Sequence, residues 1–166
     1  MNVNNATIEI LYTLIGECFR QNRSFDRSVS VLGTKFAMNN TAKLCHEGIA
    51  HYFPKLADEI GEKCLERYNI DVKYEATPEG VEDYNNPKDI IYAMRDRTLE
   101  FQNMLMGCIV IVEKNQDIQC YVDLLDMLKD YNKVVEQTIL MVDKVELDGD
   151  NMSSYDAHIK PHFWIL

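Results

Sequence analysis

Residues Asn40–Tyr68 read NTAKLCHEGIAHYFPKLADEIGEKCLERY, and the fold turns on this stretch. At about 100° per residue, Phe53, Leu56, Ile60 and Cys64 share one helix face, flanked by Ile49 and Ala57. Asp58 and Glu62 fall together on the opposite side, with His51 earlier on nearly the same line. The segment therefore reads as a helix with an apolar stripe for a core and an outer face carrying an imidazole and two carboxylates. Pro54 lies inside it. Proline has no N–H for the Ala50 carbonyl and its ring clashes there, so a kink or split is expected near residues 50–54.

The flanking sequence supplies partners for the apolar stripe. Upstream, Ile8, Leu11, Ile15, Cys18, Phe25, Val29, Leu32 and Phe36 recur at spacings of three and four, which predicts a helix over 6–36. Asn4 or Asn5 is its N-cap, and the polar run Asn22–Ser24, with Asn22 on the stripe itself, is expected to break or bend it. Asn39-Asn40 then turns the chain into a second helix over 41–68. Residues 70–86 hold Pro78, Gly80 and paired Asn, a connection long enough to cross the height of a bundle. Asn86-Pro87 pairs a cap with proline at the first helical position and opens a third helix over 87–114. Its face is Ile90, Met94, Phe101, Leu105, Cys108 and Val112. After a turn at 115–117, with Asp117 as cap, a fourth helix runs over 118–145 on Ile118, Tyr121, Leu125, Leu128, Val135 and Ile139.

Two helical hairpins joined by one long crossover is the plan of ferritin-like four-helix bundles. The expected fold class is therefore all-α, with a bundle over 1–145 and a C-terminal tail over 146–166. The tail begins polar, its Asp148, Asp150 and Asn151 reading as a solvated turn, and ends HFWIL, which is expected to dock on a groove. His158 and His162 stand four apart, but Pro161 between them opposes a helix there.

Composition narrows the function. Only 7 Gly and 4 Pro in 166 residues argue against an all-β fold. No apolar run reaches the ~18 residues of a membrane span, and the N-terminus lacks a basic segment before an apolar one. The expectation is a soluble, cytoplasmic protein. A formal net charge of −10 favours cations and disfavours DNA as a partner. The five cysteines are scattered without a C-x-x-C and read as reduced small hydrophobes.

A di-iron bundle needs Glu on each helix and Glu-x-x-His on two, all facing inward. That set is missing: neither the second nor the fourth helix has Glu-x-x-His. Asn22, His46, Asn132 and Glu136 are the polar residues expected inward, with Arg97 level with Glu136 and able to pair with it. The outer pair is the better candidate. Asp58 and Glu62 at i, i+4 stack on one side of a helix, and oxygen-rich sites of this kind suit Fe²⁺, Mn²⁺ or Mg²⁺.

The run Leu56-Ala57-Asp58-Glu59-Ile60-Gly61-Glu62-Lys63 resembles the D-x-x-A-E-R signature of Dps-type mini-ferritins, with Gly61 and Lys63 in place of Ala and Arg. Leu44-Cys45-His46-Glu47 is similar to their Leu-His-Glu, and helix order and lengths agree over 6–145. The resemblance implies iron bound by Asp58 and Glu62 at a two-fold subunit interface, within a homo-oligomeric shell. His51 is the nearest imidazole, and the implied chemistry is Fe²⁺ oxidation. The other reading is a non-catalytic helical scaffold that keeps the fold and uses its surfaces for assembly.

Overall fold

Residues 2–160 are described by the computed structural model, and among them there are helices and no strands. Helix α1 spans Asn5–Thr34, α2 Asn39–Cys45, α3 Tyr52–Cys64, α4 Pro87–Lys114, α5 Ile118–Asp148 and α6 Met152–His158. A π-helical turn over His46–Ala50 joins α2 to α3, so these three pieces make one long, interrupted second helix. The result is the expected pair of hairpins, α1 with α2–α3 and α4 with α5, joined by a crossover.

The interruption of the second helix follows from Pro54. Within the π turn the His51 N–H reaches back five residues to the His46 carbonyl at 3.2 Å. The Ala50 carbonyl, which Pro54 cannot serve, accepts from Asn22 Nδ2 at 2.9 Å instead. This explains why α1 runs unbroken through Asn22–Ser24, where a break was expected. The polar side chains there are used by neighbours, Asn22 by the second helix and Ser24 by Glu82 of the crossover at 3.2 Å.

Two helix starts are capped from a distance. Asp117 makes no side-chain cap on α5, contrary to expectation. Its carboxylate instead accepts the Asn4 N–H at 3.2 Å and the Thr7 hydroxyl, beside the local cap Asn4 gives to Ala6 N–H. The turn after α1 comes earlier than Asn39-Asn40, with Ala37 at φ 53 and the Met38 N–H closing on the Leu32 carbonyl at 3.0 Å. Asn39 and Asn40 are free to join α2 because Asp156 caps that helix, accepting Thr41 N–H at 2.7 Å and the Thr41 hydroxyl at 2.8 Å. Asp156 lies on α6, in the segment read as tail. Asn151, read as part of a solvated turn, is the α6 N-cap, accepting Ser154 N–H at 3.0 Å. Tyr155 is fully buried, with its hydroxyl donating to the Met141 carbonyl at 3.1 Å. His162 and Phe163–Leu166 lie outside the described residues; His158 packs back on Ser154.

The crossover lies along α1 as a strap. Tyr12 donates to the Asp71 carbonyl at 2.9 Å, Phe19 packs on Tyr74, Arg27 donates to the Glu82 carbonyl at 3.0 Å, and Lys35 to that of Tyr84. From Tyr12 to Lys35 the helix rises about 35 Å, so the strap spans the bundle's height. Gly80 passes so close to the Arg23 carbonyl that a Cβ would stand 2.9 Å from its oxygen, which is why glycine sits there.

Candidate metal-binding face

An interior site is the first arrangement to consider, because bundle interiors are where facing helices can converge ligands. Here each helix sends a ring to the middle. Phe25 of α1 stacks on Phe53 of α3 at 5.5 Å between centroids. Phe53 meets Phe101 of α4 edge-on at 5.3 Å, and Phe101 meets Tyr131 of α5 at 5.0 Å. All four are at most 1% exposed. The Tyr131 hydroxyl donates to the Thr98 carbonyl at 2.6 Å, and burial pushes its ionisation well up. The buried polar residues among those described are Thr, Ser and Gln, with no carboxylate or imidazole. This packing has the chemistry of a core and no donors for a cation.

The polar residues expected inward sit elsewhere. Glu136 is exposed, and His46 keeps 46% of its side-chain surface. Asn132 is half-buried and accepts from Gln102 at 2.8 Å. Arg97 does not pair with Glu136: it reaches the crossover, donating to Tyr84 Oη at 3.0 Å and lying 3.4 Å from Glu82 Oε1. The displacement of Glu136, and with it the missing Arg97 pair, follows from the phase of α5. The buried stripe of α5 is Cys120, Leu124, Met127, Tyr131, Val134, Thr138, Met141 and Val145, about one residue out of phase with the expected stripe. Ile118 and Ile139 of the expected stripe are 58% and 38% exposed.

On the outer face, α3 carries Asp58 and Glu62 one turn apart, both exposed. Lys63 pairs with Glu59 at 2.6 Å and Arg67 with Asp123 at 3.0 Å. Neither Asp58 nor Glu62 enters an ion pair among the described residues. His51 shares their side of the helix but stands seven residues before Asp58, about 10 Å along the axis. Its ring lies against His46, with centroids 4.2 Å apart. Among the described residues no three His, Cys, Asp or Glu side chains gather tightly enough to hold an ion within one chain. The face thus offers a bidentate-capable carboxylate pair and a separate pair of imidazoles. The contact between His46 and His51 was missed in the sequence because they are five apart, a spacing that meets only across a π turn.

The chain can now be set beside known proteins. It superposes on the open-pore ferritin of the hyperthermophilic archaeon Archaeoglobus fulgidus with a TM-score of 0.86, covering 93% of each chain at 11% identity. The fold is that of a ferritin. An engineered closed form of the Archaeoglobus fulgidus ferritin gives the same score, 0.86, over 94% of this chain and 95% of the other, again at 11% identity. A humanised archaeal ferritin gives 0.85 over 92% and 91% at 8% identity. No protein-family model and no curated protein sequence matches the chain. At these identities the ferritin likeness is one of backbone, and the side chains above must carry any functional argument. No helix of the described residues is long and apolar enough to cross a membrane.

Proposed function

We propose that this protein is a ferritin-fold, homo-oligomeric iron-binding protein whose metal contacts lie on the outer face of α3, at Asp58 and Glu62. The observation that carries this reading is the uncommitted carboxylate pair on a scaffold that keeps the ferritin backbone while its centre is filled by aromatic rings. Iron is the cargo, and Mn²⁺ or Mg²⁺ would suit the same oxygens. Two carboxylates from one chain leave a coordination sphere open, so a second subunit is assigned the remaining donors. His51, two turns away, is the imidazole of this chain on that side. The Dps-type arrangement across a two-fold axis is the form of assembly this reading adopts, with oxidation of Fe²⁺ to Fe³⁺ by oxygen or peroxide, the electron acceptor, as its chemistry.

Assembly has a physical motive. Val110 and Ile111 of α4 and Ile118 and Val122 of α5 are 40–58% exposed near the closed end of their hairpin, apolar side chains that a second copy would cover. A non-catalytic scaffold is the second reading, favoured by the same aromatic centre, which removes the place where bundle enzymes hold metal. Anaerobic Fe²⁺ titration of the wild type and of Asp58→Asn/Glu62→Gln separates the two. The iron reading expects the variant to bind more than about tenfold more weakly, as two charge-assisted ligands are lost. Equal binding by both proteins leaves only the scaffold.

A further inference from the structure

The π turn places two of the chain's four histidines against each other on the surface, and nothing in the iron reading uses that contact. In an uninterrupted α-helix, residues five apart point about 140° away from one another. The i to i−5 bond from His51 N–H to the His46 carbonyl, 3.2 Å, widens the turn so that positions 46 and 51 lie one above the other. Their rings stand 4.2 Å apart, inclined at 61°. We infer that His46 and His51 form a surface site for a borderline divalent transition-metal ion of the Zn²⁺, Cu²⁺ and Ni²⁺ class, with Asp26 orienting His46.

Three observations support the assignment. Imidazole is the donor that such ions prefer over harder cations. Both rings are exposed, so an ion can reach them from solvent, and the chain's net charge of −10 concentrates cations at its surface. Asp26 of α1 has a carboxylate oxygen 3.4 Å from His46 Nδ1. A carboxylate beside that nitrogen is the usual outer-shell neighbour of a histidine ligand, and it leaves Nε2 as the nitrogen open to a metal. Asp26 is therefore a positioning residue and the ligands are the two imidazoles. Water would complete the coordination sphere.

The site also gives the π turn a consequence. Pro54 forces an interruption of the second helix, and the ion would clamp its two sides through His46 and His51. Binding should then stabilise the fold as well as occupy the site.

Calorimetric titration with Zn²⁺ alone, under air and without iron, tests the inference, with thermal unfolding followed in parallel by circular dichroism. The wild type should bind Zn²⁺ through His46 and His51 and melt at higher temperature with Zn²⁺. His46→Ala and His51→Ala should each weaken binding at least about tenfold and lose the thermal shift, while Asp26→Asn should weaken it about tenfold without abolishing it. Asp58→Asn/Glu62→Gln should bind Zn²⁺ at this site as the wild type does, so the outcome is independent of the iron reading. No binding by the wild type, or unchanged binding by folded His46→Ala, overturns the site. Unchanged affinity in Asp26→Asn overturns the orienting role.

Discussion

Removing the Asn22 side chain tests the link between Pro54 and the shape of the second helix. Asn22 Nδ2 donates to the Ala50 carbonyl at 2.9 Å, and Ala50 is fully buried. Asn22→Ala leaves that carbonyl without a partner, since Pro54 has no N–H to offer. An unsatisfied buried acceptor costs about 1–3 kcal/mol. Asn22 is itself only half-buried and water can reach part of the gap, so a loss of about 1–2 kcal/mol is expected. For a chain of this length that is a fall of roughly 2–8 °C in Tm. Pro54→Ala restores an N–H that can bond the Ala50 carbonyl along the helix. In that background Asn22→Ala should cost no more than about 0.5 kcal/mol, a coupling of about 1 kcal/mol across the double-mutant cycle. Urea unfolding monitored by far-ultraviolet circular dichroism, with unchanged slope, gives all four stabilities. An equal cost of Asn22→Ala in both backgrounds would show that Asn22 does not stand in for the N–H that Pro54 lacks.

Other predictions follow from single contacts. Asp156→Ala removes the distant cap on α2, which has none of its own from Met38, and should cost about 1–2 kcal/mol by urea unfolding, whereas Asp156→Asn should cost less. Phe53→Ala, at the centre of the ring cluster, should cost about 3–5 kcal/mol and broaden near-ultraviolet dichroism. Burial tends to raise the Asp130 carboxyl, but hydrogen bonds from Lys133 and Tyr52 outweigh it and hold the group below its ordinary value. A folded-state value below the unfolded one means this contribution is full above about pH 5 and lost as pH falls through the folded value. Asp130→Asn should therefore flatten the acid limb of the stability profile. Light scattering of the wild type in neutral buffer should give a mass well above the 19.3 kDa of one chain, and a charged residue at Ile111 or Val122 should lower it.

The helical plan was legible because long amphipathic repeats and the Asn86-Pro87 start are local signals, and the Asn86 side chain does accept the Lys88 N–H at 2.9 Å. The phase of α5 was not. That helix carries apolar residues on two faces, and the buried one includes Gln137 and Thr138, while Ile118, Val122 and Ile139 lie outside. Periodicity fixes a face only when the opposite one is polar. The caps from Asp117 and Asp156 were hidden for a different reason, since a carboxylate that caps a helix more than a hundred residues away leaves no pattern near itself. The position of the break in the second helix could be read from Pro54. Its form, a π turn that joins His46 to His51, depends on how Asn22 and the Ala50 carbonyl meet in space.

The proposed iron site lies on the outer face of the bundle, at Asp58 and Glu62, and not in its centre. Anomalous diffraction at the iron edge, from crystals of the oligomer grown anaerobically with Fe²⁺, tests it most directly. A peak is expected beside the Asp58 and Glu62 carboxylates, at a contact between subunits, and none among Phe53, Phe101 and Tyr131. A peak inside the bundle, or an iron-free outer face, would contradict it.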